Sequence, residues 1–143
     1  MTAHPDISVV IPARDEIIAL GPLVEEIAQA LAGRAFEAIV VDDGSTDGTP
    51  HALAALQARH PWLLALRNDR PCGQSVSIRR GVRAARGALI VTLDGDGQNP
   101  PDQIPALLAP FTKPGSAAVS AGTASMAYCR VKGRRASIEP SAM

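Results

Sequence analysis

Four short apolar runs, each separated from the next by a segment of helical periodicity, constrain the fold of this chain more than any other sequence feature. The runs occupy residues 7–11, 36–41, 62–66 and 88–93, and the first of them, ISVVI, is rich in β-branched residues. Helical patterns occupy residues 20–31, about 49–59, 75–86 and 101–108. Strands that alternate with helices predict an α/β fold, in which a mostly parallel sheet carries helices on both faces.

Prolines and polar residues suggest where these elements begin and end. Pro12 is predicted to end the first strand, and Pro22 fits the first turn of the first helix. Asp47 or Thr49 is predicted to cap the second helix, because short polar side chains accept backbone N–H bonds at helix starts.

Acidic residues collect where three of the predicted strands end. PARDE (12–16) follows the first strand, DDGSTDG (42–48) the second and DGDGQ (94–98) the fourth. In open α/β sheets, ligands bind beyond the carboxyl ends of the strands. The acidic loops are therefore predicted to meet at the ligand site.

The DGDGQ loop carries a candidate metal site. Asp94 and Asp96 can converge on one cation if the glycines turn the chain, and Gln98 offers a further oxygen. Mg²⁺ and Mn²⁺ prefer such oxygen ligands and leave positions open for phosphate. The alternative is a polar turn without a metal.

The other two loops offer candidate nucleoside contacts. Asp42 and Asp43 can accept bonds from a base or ribose, and the alternative is a solvated turn. Pro12 and Ala13 can present a small surface to a flat base. Glu16 either binds the nucleoside or places a favourable charge in the first turn of the next helix.

A group of arginines lies on the third predicted helix. Residues 79, 83 and 86 of the group share a face at helical spacing, and Arg80 lies beside them. The sequence favours a solvated helix face, with a diphosphate or lipid-phosphate contact as the alternative.

Charge and composition restrict the function classes. Residues 1–111 hold 9 basic and 13 acidic side chains, whereas residues 112–143 hold 5 and 1. An acidic main segment argues against nucleic-acid binding, which needs a basic surface. Cys72 and Cys129 lack metal-type spacing and are interpreted as free thiols. No apolar run approaches the roughly 18 residues that a membrane-spanning helix needs, and the N-terminus does not resemble a signal peptide, so we expect a cytoplasmic chain without a membrane span.

The combined motifs resemble those of the family 2 glycosyltransferases over roughly residues 6–110. The matching pieces are PARDE, DDGSTDGT, the GQS…G…ARG pattern at 73–87 and DGDGQNPP. The stretch LDGDGQNPPDQIPALL (93–108) is most similar to the branch that transfers sugars onto polyprenyl phosphates such as dolichyl or undecaprenyl phosphate. Two other families fit poorly. The paired acids of phospho-accepting domains follow the first strand, and no G-x-G-x-x-G of a dinucleotide-binding domain is present.

The resemblance implies a GT-A fold and a nucleotide-diphosphate sugar donor, linked to UDP or GDP, with Mg²⁺ or Mn²⁺ as cofactor. It also implies positions for the ligands, with no residue assigned as catalytic. Pro12, Ala13, Glu16 and Asp43 would line the nucleoside pocket with Asp42 beside it, whereas Asp94, Asp96 and Gln98 would hold the metal. The acceptor would be a lipid phosphate or another sugar acceptor.

Two departures from the family pattern stand out. Asp15 occupies a position where the family usually has Asn, which adds negative charge near an anionic donor. Residues 112–143 resemble none of the family's later part, so we expect a donor-binding N-terminal half-domain at 1–111 and a weakly ordered tail at 112–143. The chain is then either a truncated transferase or a non-catalytic nucleotide-binding remnant. An exposed sheet edge would favour self-association, and the acceptor would favour contact with the cytoplasmic membrane surface.

Overall fold

The structure, a computed structural model, describes residues 5–95, 101–108, 120–121 and 126–129. The strands are β1 (Ile7–Ala13), β2 (Phe36–Asp43), β3 (Leu63–Asn68), β4 (Leu89–Thr92), β5 (Ser120–Ala121) and β6 (Met126–Cys129). The helices are α1 (Ile17–Ala30), α2 (Thr49–Arg59), α3 (Gln74–Ala84) and α4 (Ile104–Leu108), and a 3₁₀ turn at Pro101–Gln103 leads into α4. Within the described residues, no helix is long and apolar enough to cross a membrane.

One sheet joins all six strands in the order β3-β2-β1-β4-β6-β5. The first four are parallel to one another, and β6 runs antiparallel to both β4 and β5. The prediction of an α/β fold with a mostly parallel sheet is confirmed. Strand β1 lies between β2 and β4, so the loops after β1 and β4 come out side by side.

Helices cover both faces of the sheet, as the continuous apolar strands predict. Because side chains alternate along a strand, Val9 and Ile11 of β1 pack in the core cluster that contains buried residues of α1, α2 and α4. Val10 packs in the second cluster, with Ile39 and Val41 of β2. Helix α3 lies against β1 and β2 on that second face.

Strand β1 does not end at Pro12 as predicted but continues to Ala13. The Leu93 N–H donates to the Val10 carbonyl at 3.0 Å, so the backbone polar groups of Val10 point towards β4. The backbone nitrogen of Pro12, two residues further on, also points towards β4. The pairing of β1 with β4 has ended by then, because its last pair is Val10 with Thr92. Its missing N–H therefore costs no ladder bond.

Helix α1 begins at Ile17, which places Pro22 inside the helix and not in its first turn. The N–H that Pro22 lacks would have bonded to the carbonyl of Ile18. Ile18 is 89% exposed, so water can reach that carbonyl instead. Gly21 precedes the proline and has no Cβ to crowd its ring. The helix therefore tolerates an interior proline on its solvent side.

Helix α3 ends at Ala84, two residues earlier than predicted, so Arg86 does not share the face of Arg79 and Arg83. Arg86 instead donates from its backbone N–H to Glu37 Oε1 at 2.7 Å and from Nε to Oε2 at 3.1 Å. The Ser8 hydroxyl donates to Glu37 Oε1 at 2.9 Å. This buried carboxylate stabilises the end of the sheet opposite the acidic loops.

The predicted boundary at residue 111 does not coincide with an edge of the sheet. Strand β6, from the segment interpreted as a tail, pairs with β4 over Met126–Cys129, and β5 pairs with β6. The sheet therefore continues across the boundary that the sequence suggested.

Candidate functional site

A cleft of about 370 Å³ opens at the carboxyl edge of β1, β2 and β4. The loops after these strands and the start of α3 form its walls. Its lining residues are Pro12, Ala13, Arg14, Glu16, Asp43, Gly73, Gln74, Ser77, Asp94 and Gly95. Five residues singled out from the sequence thus come together: Pro12, Ala13, Glu16, Asp43 and Asp94.

The loop after β4 lies directly against the end of β1. A side chain at Gly95 would place its Cβ 3.0 Å from both the Pro12 carbonyl oxygen and the Ala13 Cβ. Glycine allows this close approach. The candidate metal loop and the candidate base-binding residues therefore share one wall of the cleft.

Asp43 is buried, and three donors bind its carboxylate. The Cys72 N–H and the Asn68 amide donate to Oδ1 at 2.7 and 2.9 Å, and the Gly73 N–H donates to Oδ2 at 2.9 Å. Burial would raise the pKa of Asp43, but these bonds and the charge of Arg14 outweigh it and hold the pKa below its ordinary value. The side chain therefore carries a stable negative charge into the cleft.

Asp42 does not line the cleft. Its Oδ2 accepts a bond from Arg67 Nη1 at 2.8 Å, and its Oδ1 accepts the Ser45 N–H at 3.0 Å. Only 1% of Asp42 is exposed. Its carboxylate stabilises the loop after β2, which leaves Asp43 as the residue of the pair that faces the cleft.

Asp15 joins the loops after β1 and β2. Its φ of 53° is left-handed, a conformation that Asp and Asn adopt more readily than most residues. Its Oδ1 accepts the N–H groups of Thr46 and Asp47 at 2.8 and 3.3 Å, and its own N–H donates to Ser45 Oγ at 2.9 Å. Two donors thus hold the additional negative charge that distinguishes this position from the family pattern.

Asp47 and Glu16 act differently at the starts of their helices. Gly48 occupies the cap position of α2 and no side-chain capping bond is made, so the prediction that Asp47 or Thr49 caps this helix is wrong. Asp47, one residue before the cap, accepts the Thr49 N–H through Oδ1 at 2.9 Å. Glu16 occupies the cap position of α1 and lines the cleft. Its place in the lining of the cleft favours the ligand-contact interpretation of Glu16.

Asp94 is the residue of the candidate metal set that the structure describes, and Asp96 and Gln98 lie outside the described residues. No cluster of three or more histidine, cysteine or acidic side chains suited to a metal occurs within the described ranges. Asp94 Oδ1 accepts one bond from Gln74 Nε2 at 3.1 Å. A carboxylate has about four acceptor positions, so Asp94 retains acceptor capacity and fits an oxygen-preferring cation.

Sequence reasoning assigned no role to four of the lining residues. Arg14 lies inside the PARDE motif, and Gly73 and Gln74 belong to the GQS motif, so both motifs were recognised but these residues were given no individual role. Ser77 carries no comparable signal, whereas Gly95 is one of the glycines expected to turn the DGDGQ loop. The predicted arginine face does not reach the cleft, because Arg79, Arg80 and Arg83 are absent from its lining and Arg80 donates to Asn68 Oδ1 at 2.9 Å.

Comparison with known proteins adds a family match. The model of glycosyl transferase family 2 matches residues 8–140. The match extends past residue 110, the expected limit of the resemblance, and into the segment interpreted as a tail. The shared pattern covers nearly the whole chain.

Solved structures agree with this match. The mannosyltransferase PcManGT from Pyrobaculum calidifontis, in complex with GDP-Man and Mn²⁺, is 25% identical, with a TM-score of 0.68 over 79% of this chain and 34% of its own. A mycobacterial protein is 31% identical, with a TM-score of 0.65 over 82% and 40%. TarS residues 1–349 from S. aureus, in complex with UDP-GlcNAc, are 23% identical, with a TM-score of 0.56 over 64% and 26%, and support the fold alone. The chain thus spans 26–40% of the lengths of these structures, and the predicted GT-A arrangement is confirmed.

Proposed function

Because the chain belongs to glycosyl transferase family 2, we propose that its cleft binds a nucleotide-diphosphate sugar for transfer of the sugar to an acceptor. The observation that carries the proposal is the convergence of Pro12, Ala13, Glu16, Asp43 and Asp94 on one cleft at the carboxyl edge of the sheet. This is the edge where open α/β folds bind their ligands.

The nucleoside is proposed to lie against the end of β1, between Pro12–Ala13 and Asp43. Asp43 Oδ2 accepts the Gly73 N–H, and a carboxylate oxygen has two lone pairs, so Oδ2 retains capacity for a base or ribose donor. The described lining of the cleft contains one basic residue, Arg14, and three acidic residues. The acids are Glu16, Asp43 and Asp94. An excess of negative charge opposes an anionic diphosphate, so we expect donor binding to depend on added positive charge.

Mg²⁺ or Mn²⁺ is the proposed source of that charge, held by Asp94 with Asp96 and Gln98. PcManGT, the relative with GDP-Man, was solved with Mn²⁺. A bound divalent cation neutralises the charge that develops on the departing nucleoside diphosphate. In this proposal Asp94 lies at the end of the cleft that receives the diphosphate and its metal, and Asp43 lies at the end that receives the nucleoside.

The proposed transfer is of a hexose to a polyprenyl phosphate. The support is the similarity of residues 93–108 to the branch of the family that uses such acceptors. A phosphate acceptor is already anionic, so it can attack the anomeric carbon with little help from a general base. Such an acceptor would bring the chain to a membrane surface, on the cytoplasmic side where nucleotide sugars are used.

Calorimetric titration with UDP and GDP, each with and without Mn²⁺, tests donor binding. We expect binding to be weaker without Mn²⁺ and, when Mn²⁺ is present, to fall at least about tenfold in Asp94→Asn, because the variant loses one anionic ligand. Asp6→Asn is the matched control, since Asp6 lies at the opposite end of β1 and is exposed. Absence of nucleotide binding by the folded wild-type chain would overturn the proposal.

A second candidate is a nucleotide-binding chain that does not transfer sugar. It is favoured by the roles proposed for the described cleft residues, all of which concern the donor and its metal. Slow hydrolysis of a UDP- or GDP-sugar, measured as release of free sugar, separates the two candidates. Turnover that Asp94→Asn removes supports the transferase, whereas tight binding without turnover supports the second candidate.

A further inference from the structure

Gln74 links two walls of the cleft that are far apart in the sequence. It is the first residue of α3, and its Nε2 donates to Asp94 Oδ1 at 3.1 Å. Both side chains line the cleft. The bond therefore joins the start of α3 to the loop after β4 at the place where the diphosphate is proposed to bind.

The backbone beneath Gln74 is held in place by Asp43. The carboxylate of Asp43 accepts the N–H groups of Cys72 and Gly73, immediately before the helix begins. Gly73 has a φ of 98°, a conformation that glycine adopts without strain. A Cβ at Gly44 would lie 2.6 Å from the Pro71 nitrogen, so the loop 70–73 lies directly on Gly44.

Two buried side chains complete this support. The Asn68 amide donates both to Asp43 Oδ1 at 2.9 Å and to Ser77 Oγ at 3.0 Å, and the Ser77 hydroxyl donates to the Gly73 carbonyl at 3.0 Å. Ser77 is fully buried and Asn68 is 7% exposed. Satisfied buried networks of this kind are rigid, so the Cα of Gln74 has a defined position relative to Asp94.

We infer that Gln74 is a positioning residue for the metal-binding carboxylate of Asp94, and that Asp43, through the loop 70–73, places it. This inference rests on the proposed function. A donor at one oxygen of a carboxylate fixes its rotation and leaves the other oxygen directed elsewhere for a cation. Gln74 acts through Asp94 and is not a catalytic residue.

The choice of an amide follows from charge. A lysine at position 74 could donate the same bond, but its ammonium group would neutralise the carboxylate and compete with the cation. The glutamine amide orients Asp94 without changing its charge. Gln74→Lys is therefore expected to weaken metal binding more than Gln74→Ala does.

Binding of Mn²⁺ alone, followed through the electron paramagnetic resonance signal of the free ion, tests the inference on the full chain. We expect Gln74→Ala to weaken Mn²⁺ binding about tenfold, as is typical when a residue that orients a metal ligand is lost. Gln57→Ala removes an exposed glutamine of α2 that does not line the cleft, and this variant is expected to bind Mn²⁺ as the wild type does. Circular dichroism and melting temperature establish that each variant is folded, and Gln74→Lys provides a second variant.

Nucleotide titration separates positioning from direct contact. We expect Gln74→Ala to leave the affinity for UDP or GDP without Mn²⁺ unchanged and to weaken it only when Mn²⁺ is present. An equal loss with and without Mn²⁺ would mean that Gln74 contacts the nucleotide, and unchanged Mn²⁺ affinity would mean that it does not orient Asp94; either result overturns the inference.

The inference and the proposed function can fail separately. Mn²⁺ binding that depends on Gln74, in a chain that binds neither UDP nor GDP, would support the inference and overturn the proposed function. A wild-type chain that binds the nucleotides but no Mn²⁺, alone or with nucleotide, would overturn the inference and leave nucleotide binding in place.

Discussion

Asp43 is a charged residue whose environment stabilises its ionised form. Burial raises its pKa, but the bonds from Cys72, Asn68 and Gly73 and the charge of Arg14 give a net lowering. A pKa that is lower in the folded than in the unfolded chain stabilises the fold above the ordinary carboxyl value. That stabilisation is lost as the pH falls through the lowered pKa.

We predict that Asp43→Asn lowers the free energy of unfolding by about 1–3 kcal/mol near neutral pH, because an amide cannot accept all three bonds. The difference from the wild type should shrink in strong acid, where Asp43 is protonated. Urea unfolding over a pH series measures it. Asp69→Asn, at an exposed neighbouring position, is the control, and a difference that stays constant with pH would contradict the prediction.

The sequence identifies the acids of the site but does not distinguish Asp42 from Asp43. Their roles depend on the pairing of β2 with β3, in which Asp42 lies opposite Arg67 and Asp43 opposite Asn68. That register gives Asp42 a cation and Asp43 an amide. Period-two alternation alone shows that the two side chains point to opposite sides, not which side is the cleft.

At the scale of elements, Gly81 allows α3 to pack closely on the sheet. A Cβ at this position would overlap Val10 Cγ1 and lie 3.3 Å from Val41 Cγ2. We predict that Gly81→Ala destabilises the fold by about 1–3 kcal/mol, because overpacking outweighs the better helix propensity of alanine. Denaturant unfolding measures the change.

A double-mutant cycle provides the control for this prediction. Val10→Ala removes the atom that a Cβ at position 81 would meet. In that background Gly81→Ala should cost less than it does alone, since the two sites are in contact. Additive losses would show that the destabilisation arises elsewhere.

The order and type of the first four strands and the main helices could be predicted, because each buried run or helical pattern is long enough to show its period. The element ends could not. Pro12 remains in β1 and Pro22 in α1 because of what lies beside them, the end of the β1–β4 pairing in one case and solvent in the other. The antiparallel pairing of β6 with β4 is likewise a long-range contact, which local periodicity does not reveal.

At the scale of the whole molecule, the described sheet has β3 at one edge. Leu64 of this strand is 38% exposed, and edge strands with apolar side chains favour association. We predict that the purified chain self-associates and that Leu64→Lys reduces the association, as measured by light scattering coupled to size exclusion.

Ile18→Lys is the matched control for this prediction, because Ile18 is 89% exposed but lies on α1, away from the edge strand. Association should persist in Ile18→Lys. A wild-type chain that is monomeric at all concentrations, or equal effects of the two substitutions, would contradict association through β3.

The neighbouring positions of β1 and β4 also determine when the cleft can arise during synthesis. Residues 12–16 emerge early from a ribosome, but the opposite wall at 94–95 cannot meet them until β4 has docked beside β1. By then β2 and β3 have already been made, and such long-range pairing is a slow step in folding. The proposed nucleotide would therefore stabilise the completed sheet by mass action, but it would find no site on the nascent chain while the sheet is still being assembled.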